Sequence, residues 1–114
     1  ERRHDMANEN AEFEFLAPDA FEWDVNKSNA NLIKHGIDFD DAKEIFYGPV
    51  VVRQSNRNSE ERWVAIGKSY DSIISVVFTR RNEVIRIISA RHSRRDEERT
   101  YRYASLGRPA QGKD

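Results

Sequence analysis

The sequence has no cysteine, only three prolines and five glycines in 114 residues, and no long run of apolar side chains. The absence of cysteine excludes disulfide bonds, thiolate zinc sites and a cysteine nucleophile. The glycines are scattered, so neither a G-x-x-x-x-G-K-[ST] loop nor a G-x-G-x-x-G loop is present to hold a phosphate. No apolar run approaches the ~18 residues of a membrane span, and no secretory leader is visible, which predicts a soluble, cytoplasmic protein.

The pattern of histidines and serines gives little support to metal or covalent chemistry. His4, His35 and His92 show neither the pairing nor the i, i+4 spacing of a metal site. No serine lies in a nucleophile elbow. A metal-free acid–base reaction on a phosphodiester would fit the residues that remain.

Positive charge is concentrated towards the C-terminal end of a chain whose net charge is only −1. Residues 80–102 contain eight of the 19 basic residues, against Glu83, Asp96, Glu97 and Glu98. Concentrated positive charge beside a strand favours a phosphate-bearing ligand. A solvated, highly charged helix would give the same composition, so charge alone leaves both interpretations open.

Helix signals predict two short helices ahead of the sheet. A first strand at Phe21–Asp24 ends in an aspartate that caps a helix over Val25–His35, and Gly36 ends this helix in a left-handed turn. Asp38 caps the second helix, with Asp41 three residues on. Four apolar residues form the buried stripe of this second helix: Phe39, Ala42, Ile45 and Phe46.

Three or four strands and a closing helix are predicted next. Two-residue turns at Asp71-Ser72 and Arg81-Asn82 would make the sheet an antiparallel meander. Ser93 and Asp96 would cap a last helix over about residues 94–105. The order predicts a single small α+β domain, in which a short first strand and two helices precede an antiparallel β-meander and a C-terminal helix. The predicted strands are Val50–Arg53, Arg62–Tyr70, Ile73–Thr79 and Val84–Ala90.

Strand alternation predicts which residues share a face of this sheet. The first face would hold Trp63, Ala65, Gly67, Ile74, Val76, Phe78, Ile85 and Ile87, a mixture that lets a helix approach closely. The opposite face would hold Val64, Ile66, Lys68, Tyr70, Ser75, Val77, Thr79, Arg86 and Ile88. Because a buried core does not hold unpaired cations, we expect this second, mixed face to receive a substrate, a partner or a second subunit.

Three regions are expected along the chain. Residues 1–20 are acidic and lack sustained periodicity, so we expect a flexible N-terminal extension. Residues 21–106 form the domain, and residues 107–114 form a flexible tail. Phe13, Phe15 and Leu16 leave open a second interpretation, in which the acidic extension folds back over a basic groove.

The chain resembles the BrnT family of toxins from Phe21 to about Tyr103, in three runs of sequence: FEWDVNKSNANLIKHGIDFDDAKEIFYGP, AIGKS and VIRIISARHSRRDEERTYRY. Each short motif is weak alone, but their order along the chain makes the resemblance specific. His92 and Ser93 depart from the family, which commonly has arginine and a small alanine there, and His92 either alters acid–base behaviour or lengthens a cap. The family's hallmarks appear as Trp23-Asp24, Lys27, Lys34-His35-Gly36, Ile66-Gly67, Ile88-Ser89-Ala90-Arg91, Glu97 and Tyr101.

The resemblance implies a RelE-like fold and the ribonuclease half of a bacterial type II toxin–antitoxin pair. It implies a metal-independent endoribonuclease that cleaves mRNA, inhibits translation and needs no cofactor. A BrnA-type antitoxin with a ribbon-helix-helix region would neutralise the toxin, and the complex would bind operator DNA through the antitoxin. A homodimer of the toxin itself is also compatible with the resemblance.

Cleavage of RNA without metal requires a base near the ribose 2′-hydroxyl, cations around the phosphorane and an acid for the 5′-oxygen. We predict Arg91, then Arg86, then Lys68 as charge stabilisers, because guanidinium forks grip two oxygens. The acid–base candidates are His35, Glu97 and Tyr101. The candidates for RNA backbone contacts are Lys27, Lys34, Arg80, Arg81, Arg94 and Arg95.

Structural roles compete with these assignments. Arg91 and Glu97 could form an ion pair that fixes the last helix, His35 could support the helix end at Gly36, and Tyr101 could anchor the core. The alternative function is a non-catalytic module that binds a protein partner through the mixed apolar–cationic face. A DNA-binding regulator fits less well, because no predicted helix has clear helix-turn-helix spacing.

Overall fold

The fold is α+β, as the order of sequence signals predicts. A computed structural model describes residues 7–55 and 60–107. Strands β2 to β5 form an antiparallel meander, and β1 joins its far edge parallel to β5, giving the strand order β1-β5-β4-β3-β2. The elements are β1 (Ala20–Glu22), α1 (Val25–His35), α2 (Phe39–Ala42), a 3-10 helix (Lys43–Tyr47), β2 (Val51–Gln54), β3 (Trp63–Ser69), β4 (Ser72–Arg81), β5 (Val84–His92) and α3 (Arg95–Ser105).

Helix α1 has the bounds and both caps that the sequence predicts. Asp24 Oδ1 accepts hydrogen bonds from the amides of Asn26 at 2.8 Å and Lys27 at 3.2 Å. Gly36 ends the helix with φ 76°, and its amide donates to Leu32 O. These side-chain and left-handed caps satisfy amides and carbonyls that the helix ends leave free.

The second helix begins as predicted but changes type after one turn. Asp38 Oδ1 accepts the Asp41 amide at 2.8 Å, and the α-helical turn then continues as the 3-10 helix. The predicted stripe is fully buried against the first face of the sheet, where Phe46 meets Phe78 with ring centroids 5.3 Å apart. The apolar residues expected on that face are confirmed as the main core.

Gly67 lets the 3-10 helix approach β3 closely. A Cβ atom at this position would lie 2.8 Å from Ile45 Cβ and 3.0 Å from Val50 Cγ1. Both neighbours are buried, so neither can move away freely. The predicted close approach of a helix to this part of the sheet is confirmed.

We expect Gly67→Ala to lower the free energy of unfolding by about 1–3 kcal/mol, because the added methyl overpacks the contact with Ile45. Urea unfolding followed by circular dichroism measures this change. Gly48→Ala is the matched control, since a Cβ at Gly48 meets nothing within 4 Å and its φ of −124° suits any residue. Equal stability of the two variants would contradict the packing argument.

Both predicted tight turns occur one residue away from their expected positions. The first lies at Tyr70-Asp71 rather than Asp71-Ser72, and the second at Asn82-Glu83 rather than Arg81-Asn82. Tyr70 and Asn82 take left-handed conformations, with φ of 55° and 57°. Each displacement moves the strand pairing by two residues, so the predicted faces are preserved in β3, in β4 and in β5 as far as Ile87.

A β-bulge in β5 changes which side chains reach the second face. Val77 pairs with Ser89 but the next residue, Phe78, pairs with Ile87, so Ile88 is an extra residue on β5. Ala90 therefore enters the main core, and Arg91 pairs with Ser75. Strict alternation would have placed Arg91 on the core side, because it lies an even number of residues after Ile87.

Part of the mixed second face is covered by the chain's own helix α3. Ala104 of α3 joins Val64 and Ile66 in a second apolar cluster. Part of the face that we expected to receive an outside molecule thus packs against α3, whose few apolar residues need an apolar surface. The α3 cap also differs from the prediction, since Glu97 rather than Asp96 accepts a backbone amide there, that of Arg94 at 2.8 Å.

Residues 8–14 pack against β2 and α3, in contrast to the expected flexible extension. Glu14 and Val50 exchange two backbone hydrogen bonds of 2.8 and 3.0 Å. Ala11 is buried, and the rings of Phe13 and Tyr101 lie 5.1 Å apart. The rest of the predicted extension before residue 7, and the predicted tail after Gly107, lie outside the described residues. In the described part of the chain, no helix is long and apolar enough to cross a membrane.

Candidate functional site

A groove of about 610 Å³ opens on the part of the second face that α3 leaves uncovered. Val64, Val77 and Ser89 lie along the sheet side of this groove. Its polar lining includes Gln54, Ser55 and one carboxylate, that of Asp96. Four guanidinium groups also line it, those of Arg53, Arg62, Arg91 and Arg94. Glu97 pairs with Arg53 and Arg91, and Glu60 pairs with Arg62 at 2.7 Å, so the groove has a modest excess of positive charge.

The buried carboxylate of Glu97 fixes two of these arginines. Both Nη atoms of Arg91 donate to Glu97, over 2.7 and 2.9 Å, and Arg53 Nη2 donates to it over 2.8 Å. The Ser75 hydroxyl adds a bond of 3.0 Å and the Arg94 amide one of 2.8 Å. The side chain of Glu97 is fully buried, so five donors hold a carboxylate that water does not reach.

These bonds decide the protonation of Glu97. Burial alone would raise the pKa of its carboxyl, but the bonds from Arg91, the Arg94 amide and Ser75 outweigh burial and lower the pKa from 4.5 to about 2. The same pair raises the pKa of the Arg91 guanidinium, chiefly through its hydrogen bonds to Glu97. Glu97 is consequently an anchor for cations and a poor proton acceptor at neutral pH.

Local sequence explains why these groups meet. The bulge in β5 turns Arg91 towards the second face, beside its register partner Ser75. Arg53 follows buried Val51 by two residues on β2 and pairs with Val64, so it reaches the same face. Glu97 lies in the first turn of α3, where a carboxylate is favoured by the free amides of the helix.

Two predicted catalytic residues, Arg91 and Glu97, meet at this site, and Arg94 joins them from the set predicted to contact RNA. Arg91 and Glu97 form an ion pair, which is the structural role that the sequence had left open beside a catalytic one. Arg91 nevertheless uses only two of its five N–H donors on Glu97, and it also lines the groove.

The other predicted catalytic residues do not line the groove. Arg86 is exposed on β5 and pairs with Glu22 at 3.4 Å. Lys68 is exposed on β3, near the Tyr70-Asp71 turn, and Tyr101 packs on Phe13 with a pKa that burial raises. His35 lies in the last turn of α1, across the sheet from the groove.

The remaining predicted RNA contacts are also spread over the molecule. Arg80 and Arg81 share a separate depression of about 490 Å³ with Arg86, and Arg80 pairs with Glu83 at 3.2 Å. The others, Lys27, Lys34 and Arg95, are exposed on helices α1 and α3.

Sequence reasoning missed four residues of the site: Arg53, Arg62, Ser75 as a ligand of Glu97, and Asp96 as a groove residue. Arg53 had a detectable signal, because it follows Val51 by two residues in a predicted strand and must share its face. Ser75 also had a detectable signal, because it is a polar residue between the apolar Ile74 and Val76 of a predicted strand. Their contacts with Glu97 cross 44 and 22 residues of sequence, a distance over which no local pattern applies.

The described residues contain no group of three or more His, Asp or Glu side chains that could hold a metal ion. The sequence profile of a family described as the ribonuclease toxin BrnT of a type II toxin–antitoxin system matches residues 23–97. The chain belongs to the BrnT family. The match includes Arg53, Ser75, Arg91 and Glu97, and membership makes this a toxin of the ribonuclease class. No curated protein matches the chain.

Proposed function

We propose that this BrnT toxin is a metal-independent endoribonuclease that binds mRNA in the groove beside Glu97, cleaves it and so inhibits translation. The observation that carries this proposal is the convergence of Arg53, Arg91 and Arg94 on one groove, two of them fixed by a buried carboxylate. Fixed guanidinium groups suit a reaction in which negative charge develops on phosphate oxygens. A cytoplasmic location follows from an mRNA substrate.

In the proposed reaction the ribose 2′-oxygen attacks the adjacent phosphorus. A bond forms between the 2′-oxygen and phosphorus, and the bond from phosphorus to the 5′-oxygen breaks. The departing 5′-oxygen takes a proton from solvent water, so a 2′,3′-cyclic phosphate and a 5′-hydroxyl result. The remaining N–H groups of Arg91 and Arg53 bind the non-bridging oxygens as their charge grows. Glu97 acts as a positioning residue, because it orients both guanidinium groups before the substrate arrives.

Asp96 is our candidate for the base that accepts the 2′-hydroxyl proton. Among the described residues that line the groove, it is the only carboxylate. It lies 3.7 Å from Arg53 Nη1, and its side chain remains 24% accessible to solvent. His35, Lys68, Tyr101 and Arg86 lie outside the groove and have no part in this chemistry as we propose it.

RNA on either side of the cleaved bond would extend along neighbouring arginines. Arg80, Arg81 and Arg86 line a second depression, which they share with Glu22, Glu60 and Glu61. These arginines are our candidates for contacts with the RNA backbone, which add affinity without reading sequence. The predicted contacts of Lys27, Lys34 and Arg95 remain predictions.

We also propose the partners that a type II system requires. A BrnA-type antitoxin with a ribbon-helix-helix region would neutralise this toxin, and their complex would bind operator DNA through the antitoxin. Homodimer formation by the toxin itself stays a prediction. The alternative of a purely protein-binding module is less well supported, since α3 already covers part of the mixed face.

Cleavage in the presence of EDTA tests the proposal. We expect the purified protein to cut single-stranded RNA in EDTA at the same rate as in buffer without it, and to leave cyclic phosphate and 5′-hydroxyl ends. An oligonucleotide with one 2′-deoxyribose at the cut site is the control, and it should resist cleavage there. Loss of activity in EDTA, or cleavage of the deoxy substrate, would refute this mechanism.

A further inference from the structure

Helix α3 has little apolar surface of its own with which to pack on the sheet. All of α3 lies in the described part of the chain, and its buried side chains are those of Glu97, Thr100 and Ala104. Ala104 is the apolar one of these three, and its side chain is a single methyl group. Glu97 binds the sheet through hydrogen bonds in the first turn, so the middle of the helix depends on contacts from another part of the chain.

Residues 8–14, which we call the strap, supply contacts to the middle of α3. The ring of Phe13 packs on the ring of Tyr101, with centroids 5.1 Å apart. Ala11 is buried and belongs to the same apolar cluster as Ala104. The strap therefore adds the apolar surface that α3 lacks.

A hydroxyl group also connects the strap to the residue that we propose as the base. The Asn8 amide donates to Thr100 Oγ1 over 2.8 Å, and this hydroxyl donates to the carbonyl of Asp96 over 2.9 Å. Thr100 is 2% exposed, so water competes little for these bonds. The strap is thus bonded, through one side chain, to the helical turn that carries Asp96 and Glu97.

The other end of the strap is fixed beside β2, the strand that carries Arg53. Glu14 and Val50 exchange two backbone hydrogen bonds of 2.8 and 3.0 Å, and Val50 directly precedes β2. Arg53 Nη2 in turn donates to the carboxylate of Glu97 over 2.8 Å. The strap therefore joins the helix and the strand whose side chains meet at Glu97.

We propose that the strap is a positioning element of the cleavage site, which holds α3 against β2 so that Asp96, Glu97 and Arg53 keep the arrangement needed to cleave RNA. Phe13 is its main positioning residue, because its ring is the largest side chain of the strap. The effect on cleavage rests on the proposed function. The strap lies outside residues 23–97, the segment that the family profile matches, whereas the residues that it positions lie inside that segment.

The test compares Phe13→Ala with Phe15→Ala in the full chain, at a temperature where circular dichroism shows each variant fully folded. Phe15 lies just beyond the strap and is 70% exposed, so its replacement leaves the contacts with α3 in place. We expect Phe13→Ala to lower the single-turnover rate at saturating enzyme by roughly tenfold, because small displacements of catalytic groups slow the chemical step strongly. RNA affinity should fall by less than about threefold, since the arginines still supply their charge. Phe15→Ala should match the wild type in both.

Phe13→Leu keeps an apolar side chain against Tyr101 and should recover most of the rate lost in Phe13→Ala. Thr100→Val tests the strap from the side of the helix, because it removes the hydroxyl between Asn8 and Asp96 and keeps the shape of the side chain. It should also slow cleavage, and Thr100→Ser should recover the rate. The two Thr100 variants decide the question if Phe13→Ala does not fold, and equal rates in them would then overturn the proposal.

Hydrogen exchange follows the position of α3 without RNA. The amides of residues 95–105 should exchange faster in Phe13→Ala than in the wild type, and Phe15→Ala should leave them unchanged. Wild-type cleavage by folded Phe13→Ala, with only its thermal stability lowered, would overturn the proposal. Failure of the wild-type toxin to cut RNA would refute the proposed function instead, and exchange would still show whether the strap holds α3: faster exchange in Phe13→Ala alone would support this, and unchanged exchange would overturn it.

Discussion

Replacing Arg91 by alanine is expected to slow RNA cleavage by ~10²–10³-fold, the usual effect of removing one fixed stabiliser of developing charge. Arg91 lines the groove, and Glu97 uses only two of its five N–H donors. Its loss should lower the single-turnover rate at saturating enzyme, because the missing charge matters most in the transition state. RNA binding should weaken far less, since Arg53 and Arg94 remain.

Arg86→Ala is the matched control for this prediction. Arg86 is on the same strand as Arg91 and has the same side chain, but it is exposed and pairs with Glu22 outside the groove. We expect it to change the single-turnover rate by less than about threefold, since contacts to the RNA backbone mainly add affinity. Arg91→Lys adds a second comparison, because lysine keeps the charge but cannot supply the planar fork.

The fold must be intact for these rates to be interpreted. Circular dichroism and thermal unfolding should therefore accompany each variant, since Arg91 also neutralises buried Glu97. A folded Arg91→Ala protein that cuts RNA at the wild-type rate would show that the ion pair is only structural. If Arg86→Ala and Arg91→Ala lower the single-turnover rate of cleavage equally, the reacting phosphate lies elsewhere on β5.

Replacing Glu97 by glutamine is expected to lower the free energy of unfolding at neutral pH by about 3 kcal/mol. The pKa of the Glu97 carboxyl falls from 4.5 to about 2 in the folded state, and each unit corresponds to about 1.4 kcal/mol. Glutamine keeps the size of the side chain but removes the charge that Arg91 and Arg53 share. Cleavage should fall as well, because both arginines lose the group that orients them.

The dependence on pH distinguishes this charge effect from a packing defect. Because the folded pKa is the lower one, the stabilisation by Glu97 is fully present above pH 4.5 and disappears as the pH falls towards about 2. The difference in unfolding free energy between wild type and Glu97→Gln should therefore be largest at pH 6–7 and shrink at acid pH. Chemical unfolding at a series of pH values measures this difference directly.

Glu98→Gln is the control for the neighbouring position. Glu98 lies 3.8 Å from Arg102 on the surface of α3, and such exposed pairs contribute ~1 kcal/mol or less. The unfolding free energy of the Glu98→Gln variant should stay close to that of the wild type at every pH. A constant gap between wild type and Glu97→Gln from pH 7 down to pH 2.5 would show that lost packing, rather than charge, causes the destabilisation.

Much of the fold could be predicted because its signals are local. Asp24 and Gly36 set both ends of α1 by contacts within a few residues, and strand alternation identified the apolar face that became the main core. Each turn lies one residue from its predicted position, which shifts the strand pairing by two residues, so side chains before the bulge at Ile88 stay on their predicted faces. The match to the BrnT family over residues 23–97 agrees with the motifs visible in the sequence.

The site could be predicted only in part. The sequence by itself determined the family, the order of elements and the richness in arginine near β5, because caps, alternation and motifs act over short distances. Only the tertiary structure decided which arginines act together. The bulge at Ile88 turns Arg91 towards the second face of the sheet. Strand pairing and the docking of α3 bring Arg53 and Ser75 to the carboxylate of Glu97. Such convergence depends on strand pairing and helix docking between distant residues, which no local pattern encodes.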